Sequence, residues 1–242
     1  MTVEIDLFVR KLRARHDLSR DEEAALRGMN WMQQRYERNQ VLVRQGEALE
    51  YSMLLLSGFA LRCKFSADGA RQIVEINLAG DFIDLHSFPL KEMDHSVLAL
   101  TPCTLAMYPH EVVKGMTERL PHLTRLLWLL TLLDSALQRE WIVCMGRLSA
   151  EARALHLFCE LGVRLAAVGL GQPDNYHLPL TQQDLADALG LSSVHANRVV
   201  QSLRKQGLLI WQAGQLVLPN LQAARDMGEF DERYLHLIKE PR

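Results

Sequence analysis

The sequence is short of everything that would staple it, anchor it or charge it strongly. Its four cysteines, Cys63, Cys103, Cys144 and Cys159, form no C-x-x-C pair. Neither a disulfide framework nor a zinc site is therefore expected, and the spacing suits reduced thiols in a cytoplasm. Met1–Asp17 mixes acids with bases and lacks the uninterrupted apolar core of a signal peptide. The most apolar run, Leu126–Leu133, falls far short of the ~20 residues a membrane helix needs. A cytoplasmic chain with no membrane partner is the expectation. Proline and glycine, at 8 and 14 residues, are too few for a low-complexity chain, and no internal repeat is visible. Charge of one sign is missing too: the net value is -2, which offers a polyanion no attraction overall. What is left is a globular composition, 48% apolar and 23% charged, over a length that suits one large domain or two ordinary ones.

The pattern along the chain changes three times. Residues Ser19–Met32 read as a helix, with Ser19 as cap, Glu22 three residues on, and Leu26 and Met29 on one face. From Val41 to Pro109 short apolar runs alternate with turn signals, among them Ser57-Gly58, Asp68-Gly69 and Thr101-Pro102. Short strands at such spacing predict an antiparallel sandwich or barrel, with a hairpin at Asp68-Gly69. Pro121 then suits the first turn of a long helix running to about Gly146. Its positions Leu123, Leu126, Leu130, Leu133, Leu137 and Trp141, with Cys144, recur at steps of three and four, as in a coiled-coil seam; Leu127, Leu129 and Leu132 make a second apolar face. Such a seam is either the core of a monomer or the contact with a second copy, and the dimer reading is preferred. A further helix is predicted over Ala150–Val168, and Gly169–His177 reads as a loop.

The stretch Thr181–Leu209 carries the most chemistry. Thr181 and Asp184 form a capping-box pair, Gly190 permits a left-handed turn, and Ser192 caps a second helix whose inner face is Ala196, Val199, Val200 and Leu203. This is helix-turn-helix spacing. The outer face carries Ser193, Val194, Asn197 and Arg198, the side chains expected to read base edges: Arg198 guanine, Asn197 adenine, Val194 a thymine methyl. Thr181, Gln182, Ser192, Arg204 and Lys205 are placed for phosphates. Between Leu191 and Gly207 stand three basic residues and no acid, so the local field is positive whatever the chain sums to. Leu208–Trp211 and Leu216–Leu218, joined around Gly214, predict a hairpin placed as a wing.

A β-rich domain, a long helix and a winged helix, in that order, resemble the cyclic-AMP receptor protein/FNR (Crp/Fnr) family of bacterial transcription regulators. The most specific pieces are "GDFIDLHSF" (Gly80–Phe88), "ALTPCTL" (Ala99–Leu105) and "LPLTQQDLADALGLSSVHANRVVQSLRKQGLL" (Leu178–Leu209). The resemblance implies an α+β fold: an N-terminal β-roll, the jelly roll of cyclic-nucleotide-binding domains, with N-terminal helices over residues 1–115, a dimerisation helix over 116–148 and a winged helix-turn-helix over 149–242. It implies a homodimer on double-stranded DNA with a two-fold symmetric operator, RNA polymerase as a further partner, and a β-domain signal that re-aims the DNA helices.

Departures from the family pattern narrow that signal. The cyclic-nucleotide branch follows "GDF" with a Gly-Glu-Leu turn and later an Arg-Ser or Arg-Thr pair. Here the turn is Asp84, Leu85 and His86, either His95-Ser96 or Met93-Asp94 stands where the pair would fall, and no arginine occurs between Arg71 and Arg119. Asp84 is expected to repel a phosphate, so cyclic AMP is not the expected effector. No cysteine precedes Cys63, which speaks against the iron-sulfur cluster of the FNR branch. That branch carries Glu, Ser and Arg where this chain has Val194, Asn197 and Arg198, so only the guanine contact is retained. The candidate effector set is Asp84, Leu85, His86, His95, Ser96, Gln138 and Arg139. His86, His95 and His110 lie near Cys63, Cys103 and Met107, a ligand inventory that would suit haem. No pair shows ligand spacing, however, so no cofactor or metal is expected. The H-x-H pair of a catalytic cupin is absent, so no catalytic residue is expected either. A haem- or small-molecule sensor, or a protein-interaction module, with constitutive DNA binding remains the alternative. Cys63, between Arg62 and Lys64, is the better candidate for an oxidant-sensing thiol.

Overall fold

The computed structural model describes residues 5–240. Two N-terminal helices open the chain, α1 (Asp6–Arg13) and α2 (Arg20–Gly28). Helix α2 starts as the sequence predicts: the Glu22 N–H donates to Ser19 Oγ at 3.2 Å and the Ser19 N–H to Glu22 Oε2 at 2.8 Å. It ends at Gly28 instead of Met32, because Met29 is already extended and Met32–Tyr36 forms strand β1. That strand has the sequence MQQRY, with no apolar alternation to announce it; its backbone pairing with β7 makes it a strand.

The remaining strands of this region are β2 (Val41–Val43), β3 (Tyr51–Ser57), β4 (Phe59–Phe65), β5 (Arg71–Leu78), β6 (Ser96–Ala99) and β7 (Cys103–Pro109), with a single helical turn α3 (Ser87–Leu90) between β5 and β6. They form two antiparallel sheets, ordered β1-β7-β3 and β2-β6-β4-β5. Alternation along β3 shows how the layers are held. Leu55 packs between the sheets with Val43, Ala60, Val97 and Leu105, while its neighbour Leu54 faces a second core under the helices with Phe8, Leu12 and Leu126. At the β3–β4 turn Gly58 has φ +92°, and a Cβ there would stand 2.4 Å from the Pro102 carbonyl oxygen, so only glycine fits.

Helix α4 (His110–Arg119) leads into α5 (Pro121–Arg147). The predicted seam of α5 turns out to face inward. Leu123, Leu126, Leu130 and Leu133 belong to the core with α1, α2, β3 and β7, each side chain contributing about 2 kcal/mol through burial. Leu137 and Trp141 are buried as well, and the Trp141 indole N–H donates to Glu160 at 2.9 Å. These six residues are core, not a contact face for a partner. The exposed apolar face lies elsewhere, on Trp128 (65% exposed), Leu132 (50%) and Ile142 (66%). Leu129, assigned from the sequence to the second face, is buried.

Helix α6 (Ala150–Val168) has the bounds read from the sequence and is capped by Ser149, which accepts the Ala152 N–H. Then follow β8 (Gly171–Gln172), β9 (Asn175–His177), α7 (Gln182–Leu189), α8 (Ser193–Lys205), β10 (Ile210–Gln212), β11 (Gln215–Val217), α9 (Leu221–Met227) and a 3-10 turn (Glu232–Leu235). The expected loop Gly169–His177 contains β8 and β9, which extend the wing to a four-stranded sheet ordered β10-β11-β9-β8. The chain divides into two compact units. One comprises the described residues up to Lys64, Glu75–Ser135 and those from Leu237 on; the other comprises Phe65–Val74 and Ala136–His236. Among the described residues no helix is long and apolar enough to cross a membrane.

Candidate functional site

In the second unit, every local device expected of Thr181–Leu209 is in place. The Asp184 N–H donates to Thr181 Oγ1 at 3.1 Å and the Thr181 N–H to Asp184 Oδ2 at 3.0 Å, a complete capping box at the start of α7. Gly190 ends α7 with φ +64°, and the Leu191 N–H returns to the Ala186 carbonyl at 2.9 Å. Arg153 on α6 donates to the Leu189 carbonyl at 2.8 Å, satisfying one acceptor that the helix end leaves open. Ser192 then caps α8 by accepting the His195 N–H at 3.3 Å. Ala196, Val199, Val200 and Leu203 are buried against the core of the unit. Ser193, Val194, Asn197 and Arg198 are all exposed, the arrangement a base-reading face requires.

The phosphate candidates divide. Gln182, Ser192 and Lys205 are exposed, and Gln182 donates to the Asn197 side-chain oxygen at 3.4 Å, steadying one reader. Thr181 gives its hydroxyl proton to Asp184 at 2.6 Å, so that donor is engaged in capping. Arg204 donates to the Trp211 carbonyl, tying α8 to the wing while the side chain stays exposed. The wing itself turns at Ala213 and Gly214, both at positive φ (49° and 79°), as a tight two-residue hairpin demands.

The acids beside this face are compensated by a residue that local spacing does not reveal. Arg71, on the β4–β5 hairpin, donates from Nε to Asp187 and from Nη2 to Asp184, each at 2.6 Å. Both carboxylates sit on α7. Burial alone would raise the Asp184 pKa, but the Thr181 hydroxyl and N–H and the Arg71 guanidinium hold it below its ordinary value of 3.8. His195, also exposed in the first turn of α8, belongs to the outer surface although its spacing places it at the edge of the reading face. Elsewhere in the unit, Glu160 is fully buried. It accepts from Trp141, from the Tyr234 hydroxyl at 3.0 Å and from Arg164 at 3.0 Å, which gives the buried carboxylate a full set of donors.

The structure regroups the candidate effector residues, most of which lie in the first unit. Asp84 is fully buried; its carboxylate accepts the Met53 N–H at 2.5 Å and lies 3.5 Å from the Ser87 hydroxyl. It faces the interior, so the expected repulsion of a phosphate by an exposed Asp84 does not apply. Burial pushes its carboxyl up to about 7. Leu85 packs into the helical core with Phe8 and Phe82, and the Ser96 hydroxyl accepts the Gln45 N–H at 3.0 Å. Gln138 and Arg139 are exposed. His86 and His95 do come together, with ring centroids 5.1 Å apart. They stand nine positions apart in sequence; the helical turn α3 and the irregular chain after it close the gap.

Beneath them Arg62 is buried. Its Nη1 meets Glu75 at 2.5 Å and Asp134 of α5 at 2.8 Å, and its Nε donates to the Ile83 carbonyl at 3.0 Å. Burial works against the guanidinium charge, but Asp134 and Glu75 hold its pKa above the ordinary value. The sensor reading of Cys63 fails on the same strand. Side chains alternate along β4, so Cys63 points away from Arg62 and Lys64, and it is 0% exposed. The other three cysteines are buried too, and burial raises the pKa of the Cys103, Cys144 and Cys159 thiols.

Comparison with known proteins agrees with this layout. The family model described as a cyclic nucleotide-binding domain matches residues 33–119, and that of the Crp-like helix-turn-helix domain matches residues 152–227. The chain is similar to the transcriptional activator protein FnrL of Cereibacter sphaeroides, 26% identical over 186 residues that cover 76% of this chain and 74% of that one. It is 30% identical over 160 residues, 64% of each chain, to the nitrogen fixation regulation protein FixK of Bradyrhizobium diazoefficiens. Its fold is similar to that of FixK2 from Bradyrhizobium japonicum, with a TM-score of 0.75 at 23% identity over 82% of this chain and 98% of that chain.

Proposed function

Because the chain belongs to the Crp/Fnr family of transcriptional regulators, we propose that it acts as a homodimer on a two-fold symmetric DNA operator and answers to a signal other than cyclic AMP. The observation that carries this reading is the face of α8. Four side chains with base-reading chemistry are exposed on it, its inner face is fully packed, and its run from Leu191 to Gly207 holds no acid. Arg198 can take guanine O6 and N7, Asn197 can pair with adenine N6 and N7, and Val194 can meet a thymine methyl. Gln182, Ser192 and Lys205 would hold phosphates and fix the register.

A second copy meets the first through the outer face of α5. Trp128, Leu132 and Ile142, with Ser135 and Arg139 between them, continue a four-three-four-three spacing on one side of the helix. Exposed side chains of this size in register are what a helix–helix contact buries. The two α8 helices of such a dimer would enter major grooves about one DNA turn, ~34 Å, apart. For the signal, the lack of any arginine between Arg71 and Arg119 leaves the β-roll without the family's cyclic-phosphate anchor. Asp84, committed inward to Met53, adds nothing that would replace it.

Selection of bound sequences from random DNA with the purified protein tests the reading. Enrichment of inverted half-sites carrying a guanine opposite each Arg198 is expected; recovery of unenriched DNA would overturn it. Calorimetry with cyclic AMP should give no micromolar affinity.

A further inference from the structure

Independently of DNA binding, we propose that His86, His95 and Asp94 form a binding site for a divalent d-block cation of the zinc type. One donor atom from each of the three lies within 4.8 Å of the others. His95 is buried, with 7% exposure, and its Nε2 has no hydrogen-bond partner; the buried Nε2 of His86 has none either. Buried imidazole nitrogens are rarely left without a partner, and two side by side is the pattern an ion resolves. For His95 the free nitrogen is set by its neighbour. Its Nδ1 lies 2.7 Å from Asp94 Oδ1, so the proton sits on Nδ1 and the lone pair on Nε2. A carboxylate holding one imidazole nitrogen while the other binds metal is a recurrent orienting arrangement.

Electrostatics and donor type agree with this assignment. The charges that act on the two rings are Arg62 and Lys64 against Asp94 and Asp134, and Glu75 further offsets Arg62. Two imidazole nitrogens, one of them backed by the Asp94 carboxylate, suit zinc-type ions; calcium and magnesium prefer all-oxygen shells. Because Asp94 holds His95 Nδ1, on the far side of the ring from Nε2, the ion takes two imidazole donors from the protein and keeps its remaining positions for water or small exchangeable ligands. The ion would then share a charge cluster with Asp134 of α5.

The test uses the untagged full-length protein, stripped with chelator and titrated with Co2+ and Zn2+. One Co2+ per chain is expected, with visible ligand-field absorption that Zn2+ bleaches. His95→Gln and His86→Gln should each weaken binding by at least about 100-fold, and Asp94→Asn by about 10–100-fold, while His122→Gln leaves it unchanged. Should a histidine variant not fold, as judged by circular dichroism, the exposed Asp94 carries the test alone. Absence of Co2+ binding to the parent protein, or binding indifferent to Asp94→Asn and the histidine variants, would overturn the proposal. Operator binding measured on the same samples separates loss of the metal site from loss of DNA recognition.

Discussion

Helices α5 and α8 are both periodic, yet only one of them declares its own orientation. Helix α8 has one apolar face and one polar face, so Ala196, Val199, Val200 and Leu203 must go inward and Ser193, Val194, Asn197 and Arg198 outward. Helix α5 is apolar on two faces. The regular seam of Leu123, Leu126, Leu130 and Leu133 looks like a dimer contact, but those residues pack under α1 and α2, and the less regular face of Trp128, Leu132 and Ile142 is the one exposed. Regular spacing says that a face is buried. It does not say by what.

Placing a charge on each face of α5 would break this comparison most sharply. Leu130→Asp puts a carboxylate into an apolar core and should cost more than about 3 kcal/mol, enough to unfold the first unit in thermal melts. Leu132→Asp, two residues on, should leave the melting transition near that of the parent. It should sediment as a monomer and bind the operator at least about 10-fold more weakly, since each half-site then binds alone. Similar melting curves for the two variants would return the seam to the role the sequence suggests.

The reading face offers the next largest effect. Arg198→Ala should cost about 1–3 kcal/mol and relax specificity at one position in each half-site. Lys205→Ala should weaken binding to all sequences alike and flatten its salt dependence. Specificity unchanged by Arg198→Ala would mean that the register of α8 on DNA is shifted.

The contrast in legibility has a physical basis. In Thr181–Leu209 each determinant acts over three or four residues: Thr181 caps against Asp184, Gly190 turns the chain, and Ser192 caps against His195. Such devices are written in adjacent letters, as are the Ala150–Val168 helix and most β-roll strands. Strand β1 has no apolar alternation and exists because β7 is there to pair with it. The tie of Arg62 to Asp134 joins residues 72 apart, and the meeting of His86 with His95 depends on the path of the intervening chain. Cys63 shows the opposite error, where neighbours in sequence point to opposite faces of a strand. Non-local chemistry is therefore the part of this molecule that spacing hides.

Arg71 carries that lesson into the reading domain itself, with a smaller and pH-dependent effect. Removing it in Arg71→Ala leaves Asp184 and Asp187 uncompensated on α7, partly screened by solvent, and should cost about 1 kcal/mol near pH 7. The sign with pH follows from the depressed pKa of Asp184. Its stabilising contribution is fully present above the ordinary value of 3.8 and is lost as pH falls through the lower folded value. The difference in urea midpoint between parent and variant should therefore be constant from about pH 7 to about pH 5 and shrink below about pH 4. On DNA, the two released charges stand beside the acid-free face of α8, so the variant should bind more weakly, and more so at low salt than at high salt. A midpoint difference that persists below pH 4, or a binding deficit indifferent to salt, would show that Arg71 acts through packing and not through its charge.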